Sequence, residues 1–317
     1  MEILSKKSHE FSKEEIQQIY DLYEKVFHER RDEKFFHEQF CNTSKGYSYH
    51  AVAVDNGKIV GHNVYVPFEY LKDDTPFTLV LSIDAMVDPD YQGKGIYGKL
   101  LKACESLALK EDVKIRIGFP NENSYPIQMK AYKYYDFGTL DTYCLPLKPS
   151  HFKGILKIFD PLTSFIARRK LGDGRIKMMT FPYEAKFRKN RESFNVYRYK
   201  WFDGKYHIVK FDDEVRFVYK KFSFKGIEAT FLMDFYPVTR QAFESACRYI
   251  GNKDKESTAL FYVGQLPFKQ SSLFKLPKKL EPKKFHFVAK VFDKDFIGEE
   301  GLDINNWDMN LASFDLL

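Results

Sequence analysis

The sequence predicts an α/β chain of the α+β kind: a mixed, mostly antiparallel sheet flanked by helices, followed by a second unit on the same plan. Three observations carry this. "SYHAVAVDNGKIVGHNVYV" (48–66) reads as two alternating β runs meeting at Asp55-Asn56-Gly57. That turn tolerates positive φ, and strands joined so tightly must be antiparallel. "FTLVLSIDAMVDP" (77–89) runs as a strand into a glycine-rich loop and a helix, and "KIRIGFP" (114–120) follows as a strand. This βαβ unit is the one place where a parallel pair is required. From Phe194 onward the order of strands, helix and strand returns, which suggests two copies of one architecture. A chain of 317 residues is comfortable for two cores.

Each element has a local reason. In "FSKEEIQQIYDLYEKVF" (11–27), Ser12 and Glu15 stand at capping-box spacing, and Ile16, Ile19, Tyr20, Tyr23 and Phe27 form a helical stripe. A second helix is expected from Asp32 to Phe40. After the hairpin and the third strand, Tyr97 to Leu109 reads as a helix with Leu100, Leu101, Cys104 and Leu107 on one face. "SYPIQMKAYKYY" (124–135) is a short helix and "GTLDTYCLPL" (138–147) a closing strand. In the second half, "FNVYRYKW", "YHIVKFD", "VRFVYKKFSF" and "IEATFLMDFYP" read as strands, "TRQAFESACRYIG" as a helix, and "TALFYVGQL" and "HFVAKVFD" as strands. The expected division is a first domain over 1–147, a basic connector over 148–193, and a second domain over 194–317.

Composition narrows the classes of function. The longest apolar runs are too short to span a bilayer, and the segment after Met1 lacks a secretory apolar core. Cys41, Cys104, Cys144 and Cys247 make no C-x-x-C pair, and no H-x-H or H-E-x-x-H occurs. The plain expectation is a cytoplasmic protein that uses no metal. Between Lys148 and Lys200, fourteen Lys/Arg face four Asp/Glu, a local +10 within a net charge of +6. Such a stretch can hold nucleic acid, anionic lipid or an anionic substrate, or it can simply be a solvated connector, the reading favoured here. Nucleic acid is not expected as a partner.

The chemistry sits in "DPDYQGKGIYGKLL" (88–101), where three phosphate-loop patterns overlap. Gly93, Gly98 and Lys99 approximate a P-loop, but its magnesium-binding hydroxyl is replaced by Leu100. Gly93, Gly95 and Gly98 spell the dinucleotide fingerprint, yet five residues separate the loop from the strand end, and a hairpin precedes it instead of a parallel sheet. Gln92 and Gly95 lead a third pattern, Q-x-x-G-x-G, whose amides at a helix N-terminus can cradle a pyrophosphate without metal.

"AMVDPDYQGKGIYGKLL" resembles the coenzyme A-binding motif of the GCN5-related N-acetyltransferase (GNAT) superfamily, and the β-β-β-α-β-α-β order around it is that family's. The resemblance covers roughly residues 1–147. "GFPNENSYP" and the Tyr197-Arg198-Tyr199 segment are similar to a bacterial branch with a second, degenerate GNAT-like domain; Eis-type aminoglycoside acetyltransferases share the tandem plan. The resemblance implies acetyl-CoA as co-substrate. Ala85, Met86 and Val87 would pair with pantetheine, and Gln92, Gly93, Lys94, Gly95, Ile96, Tyr97 and Gly98 would hold the pyrophosphate. Tyr97 departs from the pattern, which places a small residue there.

The resemblance further implies direct attack of an amine on the thioester, with a base removing the amine proton and an acid protonating the thiolate. Tyr132 lies five residues before Phe137, at the place of the family's acidic Tyr, with Tyr125, Tyr134 and Tyr135 as competitors. Asp84, alternating away from Ile83 and Ala85, is the candidate base, and a structural hydrogen-bonding role is as well founded. Glu122 and the terminus at Leu317 are weaker candidates. The expected activity is acetyl transfer to a primary amine of a small molecule or amino sugar, with self-association open. Two alternatives are a FemABX-like aminoacyl transferase, which the intact glycine loop argues against, and a non-catalytic binding module.

Overall fold

The computed structural model describes residues 1–31, 34–122, 124–151, 153–172, 183–201, 205–210, 215–224 and 227–314. In chain order the strands are β1 (Glu2–Lys7), β2 (Tyr49–Asp55), β3 (Lys58–Lys72), β4 (Thr75–Val87), β5 (Ile115–Gly118), β6 (Tyr135–Thr139) and β7 (Thr142–Pro146). They continue with β8 (Phe187–Lys189), β9 (Tyr206–Lys210), β10 (Arg216–Phe224), β11 (Ile227–Tyr236), β12 (Ala259–Val263), β13 (Phe274–Lys275) and β14 (His286–Val291). The helices are α1 (Lys13–Phe27), α2 (Lys34–Phe36), α3 (Ile96–Leu109), α4 (Ser124–Tyr132), α5 (Asp160–Leu171), α6 (Arg191–Val196), α7 (Arg240–Lys253) and α8 (Lys294–Ile297).

Two mixed sheets result. The first runs β1-β2-β3-β4-β5-β14-β6 with β8 against β3, and the second runs β13-β7-β12-β11-β10-β9. Each contains a single crossover pair of parallel strands among the described registers: β4 with β5 across α3, and β11 with β12 across α7. The chain thus repeats one plan, an antiparallel β-hairpin followed by a βαβ crossover, as the order of elements in the sequence suggests.

The compact units are nevertheless discontinuous. One comprises Met1–Phe137, Phe187–Phe202 and His286–Asp303, and the other Gly138–Lys186, Asp203–Phe285 and Ile304–Leu317. This differs from the continuous division 1–147, 148–193 and 194–317, because each half of the chain lends a strand to the other half's sheet. β14 pairs antiparallel with β5, Val288 opposite Gly118 and Val291 opposite Ile115. In return β7 pairs antiparallel with β12, Ala259 opposite Pro146. The basic stretch is not a bare connector either: it supplies α5 to the second unit and β8 and α6 to the first.

Local chemistry explains most elements. Ser12 and Glu15 form the reciprocal capping box, with Glu15 N donating to Ser12 Oγ at 3.2 Å and Ser12 N donating to a Glu15 carboxylate oxygen at 2.9 Å. Asn56 and Gly57 take φ of +48° and +76°, the left-handed pair that a two-residue hairpin needs. The second helix is short: α2 runs into a π-helical turn over His37–Cys41, and residues 32 and 33 of the expected helix lie outside the described residues. "FNVYRYKW" is helical, not a strand. Asn190 accepts from the amides of Glu192 and Ser193 at 3.1 and 3.3 Å, which starts α6 against the β propensity of its aromatics. Phe194 then packs on Phe68 and Tyr70, with ring centroids 5.4 and 5.7 Å apart.

α3 is held to its sheet by Ile96, Leu100, Leu101, Cys104 and Ala108, all buried. Gly61 of β3 allows that approach: a Cβ there would stand 3.1 Å from Leu100 Cδ1 and 3.2 Å from Ile96 Cγ2. The packing fixes where the first turn of α3, and hence the glycine loop before it, is presented.

Candidate functional site

β4 and β5 separate where the site begins. Their parallel ladder spans only Leu79–Leu81 against Ile115–Ile117, while β4 continues to Val87 paired on its other side with β3. The β3–β4 register shifts between His62, opposite Met86, and Val64, opposite Ile83. Asp84 stands in this bulge with φ of +49°, a conformation that re-aims a strand's side chains and breaks its regular pairing. Met86 is buried and Ala85 exposed; because the β5 ladder ends at Leu81, the edge of this segment away from β3 has no strand partner among the described residues.

The loop that follows is staked at its start and open at its end. Lys25 bridges Asp88 at 2.7 Å and Asp90 at 2.9 Å, and the Tyr91 hydroxyl donates to Asp55 at 2.9 Å. Gln92 Nε2 donates to the Val87 carbonyl at 3.4 Å, tying the loop back to β4. Gly93 and Gly95 take φ of +76° and +69°, with nothing within 4 Å of a Cβ at either position. Backbone conformation, not crowding, demands glycine there. Gly95 is the N-cap of α3 and supplies no side-chain acceptor. The amides of Gly93, Lys94 and Gly95 make no hydrogen bond among the described residues. Exposed donors at the positive end of a helix dipole suit a pyrophosphate. The corresponding helix of the second unit is closed differently: the Thr239 hydroxyl accepts from Ala242 N at 3.1 Å, so α7 caps itself.

Gly98 has another reason to be glycine. A Cβ there would lie 2.0 Å from the Tyr132 hydroxyl, so Tyr132 of α4 reaches across to the first turn of α3. Burial raises the Tyr132 phenol above its ordinary pKa, which keeps the proton on oxygen at neutral pH. Tyr97, the residue that departs from the family pattern, turns inward. Its ring meets that of Tyr132 edge-on at 6.0 Å, and its hydroxyl accepts from Gln128 Nε2 at 3.1 Å. Its bulk is therefore spent in packing α3 on α4. Tyr125 instead donates to Asp136, and Tyr134 donates to Glu105 at 3.3 Å. Asn121 caps α4 by accepting from Ser124 N at 2.9 Å; Glu122 is exposed beside it, and Leu317 lies outside the described residues.

Several residues that sequence reasoning passed over share this region. Both carboxylate oxygens of Asp84 accept from Arg31, with Nη2 to Oδ1 at 2.9 Å. The Arg31 guanidinium is held between the rings of Tyr23 and Phe35, 3.5 and 3.9 Å from their centroids. Behind the bulge His50 and His62 share a hydrogen bond of 2.9 Å, and the other nitrogen of His50 meets Ser8 Oγ at 3.0 Å. Burial pushes both imidazoles down, His62 to about 4, so both are neutral at pH 7. Arg116 of β5 is 1% exposed; it donates to Gln128 at 3.3 Å and lies 4.3 Å from the Tyr134 ring. A charged residue alternating into a core-facing strand position was the one available signal for Arg116. No such signal marked Arg31.

The four cysteines are unsuited to nucleophilic work. Burial raises every thiol, that of Cys104 to about 12. A reactive Cys needs the opposite shift.

A strand that parts from its parallel neighbour, a glycine loop with amides unbonded among the described residues and a helix N-terminus together make an arrangement that suits an acyl-coenzyme A. Residues 7–140 match the acetyltransferase (GNAT) domain family. Over that span the chain carries a domain of the GNAT family, and the two mixed sheets flanked by helices are consistent with two domains. Among solved structures, a probable N-acyltransferase from Enterococcus faecalis is similar at 13% identity and a TM-score of 0.61, over 95% of this chain and 75% of that one. Eis1 from Mycobacterium abscessus is similar at 10% identity and 0.53, over 92% and 74%. N-myristoyltransferase from Saccharomyces cerevisiae, solved with myristoylCoA, is similar at 10% identity and 0.53, over 90% and 82%. At such identities the likeness is one of fold. No match was found among curated proteins.

Proposed function

We propose that the chain is an acetyl-CoA-dependent N-acetyltransferase that acts on a primary amine of a small molecule or amino sugar. The observation that carries this reading is the pairing of the free amides at Gly93, Lys94 and Gly95 with the open edge of β4 from Ala85 to Val87. The first suits a pyrophosphate; the second suits the amide groups of a pantetheine arm, which can add to a strand edge as a peptide does.

In this mechanism the amine nitrogen attacks the acetyl carbonyl carbon, and a β4 amide polarises the carbonyl oxygen. The C–S bond breaks with its electron pair on sulfur. The Tyr132 hydroxyl gives its proton to the thiolate, in keeping with a phenol that burial keeps protonated. Asp84 takes the proton lost by the amine, and Arg31 positions its carboxylate at the bulge. No thiol of the chain is needed as an acyl carrier. The second unit, whose α7 is capped by Thr239 and preceded by no glycine loop, binds no coenzyme A.

The test is a panel of amines scored for thiol release with acetyl-CoA and with longer acyl-CoAs. Acceptor-dependent release that is fastest with acetyl-CoA supports the reading. Preference for a long acyl chain, or release without any acceptor dependence, overturns it.

A further inference from the structure

The basic stretch carries more than charge. Residues 154–159 form a 3-10 turn that leads into α5 through Pro161. Along this segment Ile155, Ile158, Phe159, Leu162 and Phe165 are 81%, 76%, 46%, 55% and 61% exposed. Their spacing of three, one, three and three residues is that of one helical face. Single exposed apolar residues are ordinary, but five on one face of eleven residues are not. The opposite face explains why the segment folds at all. Ala167 and Leu171 are buried in the second unit's core, and Leu171 reaches Gly251 of α7 so closely that a Cβ there would be 2.3 Å from its Cδ1.

Cations frame the apolar face. Lys157, Arg168 and Arg169 are exposed, and none has an acidic partner among the described residues. The one acid of the segment, Asp160, is occupied in accepting from Ser150 N at 3.0 Å. Aliphatic and aromatic side chains flanked by unpaired Lys and Arg are what an interfacial helix presents to a bilayer: the apolar groups enter the headgroup–acyl boundary and the cations stay among the phosphates. A second copy of the chain would bring like charges together on this face, which costs affinity. A nucleic acid would find cations but no use for Ile155, Ile158 and Leu162.

We propose that the outward face of residues 154–171 is a docking surface for an anionic phospholipid bilayer, on which the protein binds peripherally. Among the described residues no helix is long and apolar enough to cross a membrane, in keeping with surface attachment. The proposal goes beyond the acyltransferase reading and does not depend on it.

The experiment is co-sedimentation of the full chain with vesicles of phosphatidylcholine alone and of phosphatidylcholine with phosphatidylglycerol. Binding is expected to the anionic vesicles only and to weaken with added salt. Arg168→Gln and Arg169→Gln should each weaken it about fivefold, and the double variant Ile158→Glu/Phe165→Glu should lose it while keeping the parent's melting temperature, since both side chains are exposed. Absence of sedimentation with anionic vesicles at low salt overturns the proposal, as does sedimentation unchanged in the double variant. Lipid-free dimerisation that the same two substitutions abolish assigns the face to a second copy and overturns it as well.

Discussion

Gly93, Gly95 and Gly98 look alike in the sequence, and three motif names compete for them, yet each answers a different physical demand. Gly93 and Gly95 are required by positive φ with open space around them, whereas Gly98 is required by the Tyr132 hydroxyl lying where a Cβ would be. Gly98→Ala should therefore displace α4, lowering acetyl-CoA affinity and activity together. Combining it with Tyr132→Phe should recover only part of the affinity, because the ring carbon Cζ would still stand 2.9 Å from the new Cβ; calorimetry on the two variants checks this. Tyr132→Phe alone should lower kcat by about a hundredfold and leave binding almost intact. An unchanged kcat removes Tyr132 as the acid. The glycines were legible because their demand is local. Arg31 was not, since nothing in the loop after α1 announces that its guanidinium crosses to Asp84 on β4.

At the scale of elements, the hairpin β2–β3 holds two imidazoles that the sequence shows only as alternating strand residues. Burial keeps both neutral in the folded protein, His62 down to about 4, while the unfolded chain protonates them near 6.5. As pH falls the unfolded state takes up protons first. The stability from keeping His62 neutral is thus complete above about pH 6.5 and lost toward pH 4, a change of roughly 3 kcal/mol. Urea midpoints should fall between pH 7 and pH 5, above the range where most carboxylates titrate. A midpoint that holds constant over that interval contradicts the buried neutral pair. The helix α3 was legible from its apolar stripe, and Leu100→Ala should destabilise the first unit by about 2–5 kcal/mol, read in the same unfolding assay. The strand expected over "FNVYRYKW" is helical for a different reason: the Asn190 side chain, accepting from the Glu192 and Ser193 amides, outweighs the β propensity of Phe194, Tyr197 and Tyr199.

For the whole molecule, the repeated plan was visible in the order of elements, while the exchange of strands was not. "HFVAKVFD" and "GTLDTYCLPL" are recognisable as strand-forming segments, but which sheet each joins depends on pairing across the length of the chain, and periodicity carries no such information. The exchange predicts that a fragment of residues 1–147 will not fold alone, because it lacks β14 beside β5. Dispersed amide resonances from that fragment would contradict the discontinuous units. Residues 7–140 include the whole glycine loop and Tyr132, so such a fragment would carry the candidate site while lacking β8 and β14 of the sheet that presents it.

In the proposed function the loop from Gln92 to Gly98 holds the pyrophosphate of acetyl-CoA by backbone amides alone. The decisive measurement is calorimetric titration of the full chain with acetyl-CoA in the presence of a chelator, with Gly95→Glu beside the parent. Saturable binding at one site that persists under the chelator and disappears in a Gly95→Glu protein that still unfolds cooperatively, at a somewhat lower melting temperature because position 95 holds a positive φ, is the predicted result. No heat from the parent, or equal binding by a folded Gly95→Glu protein, would contradict it.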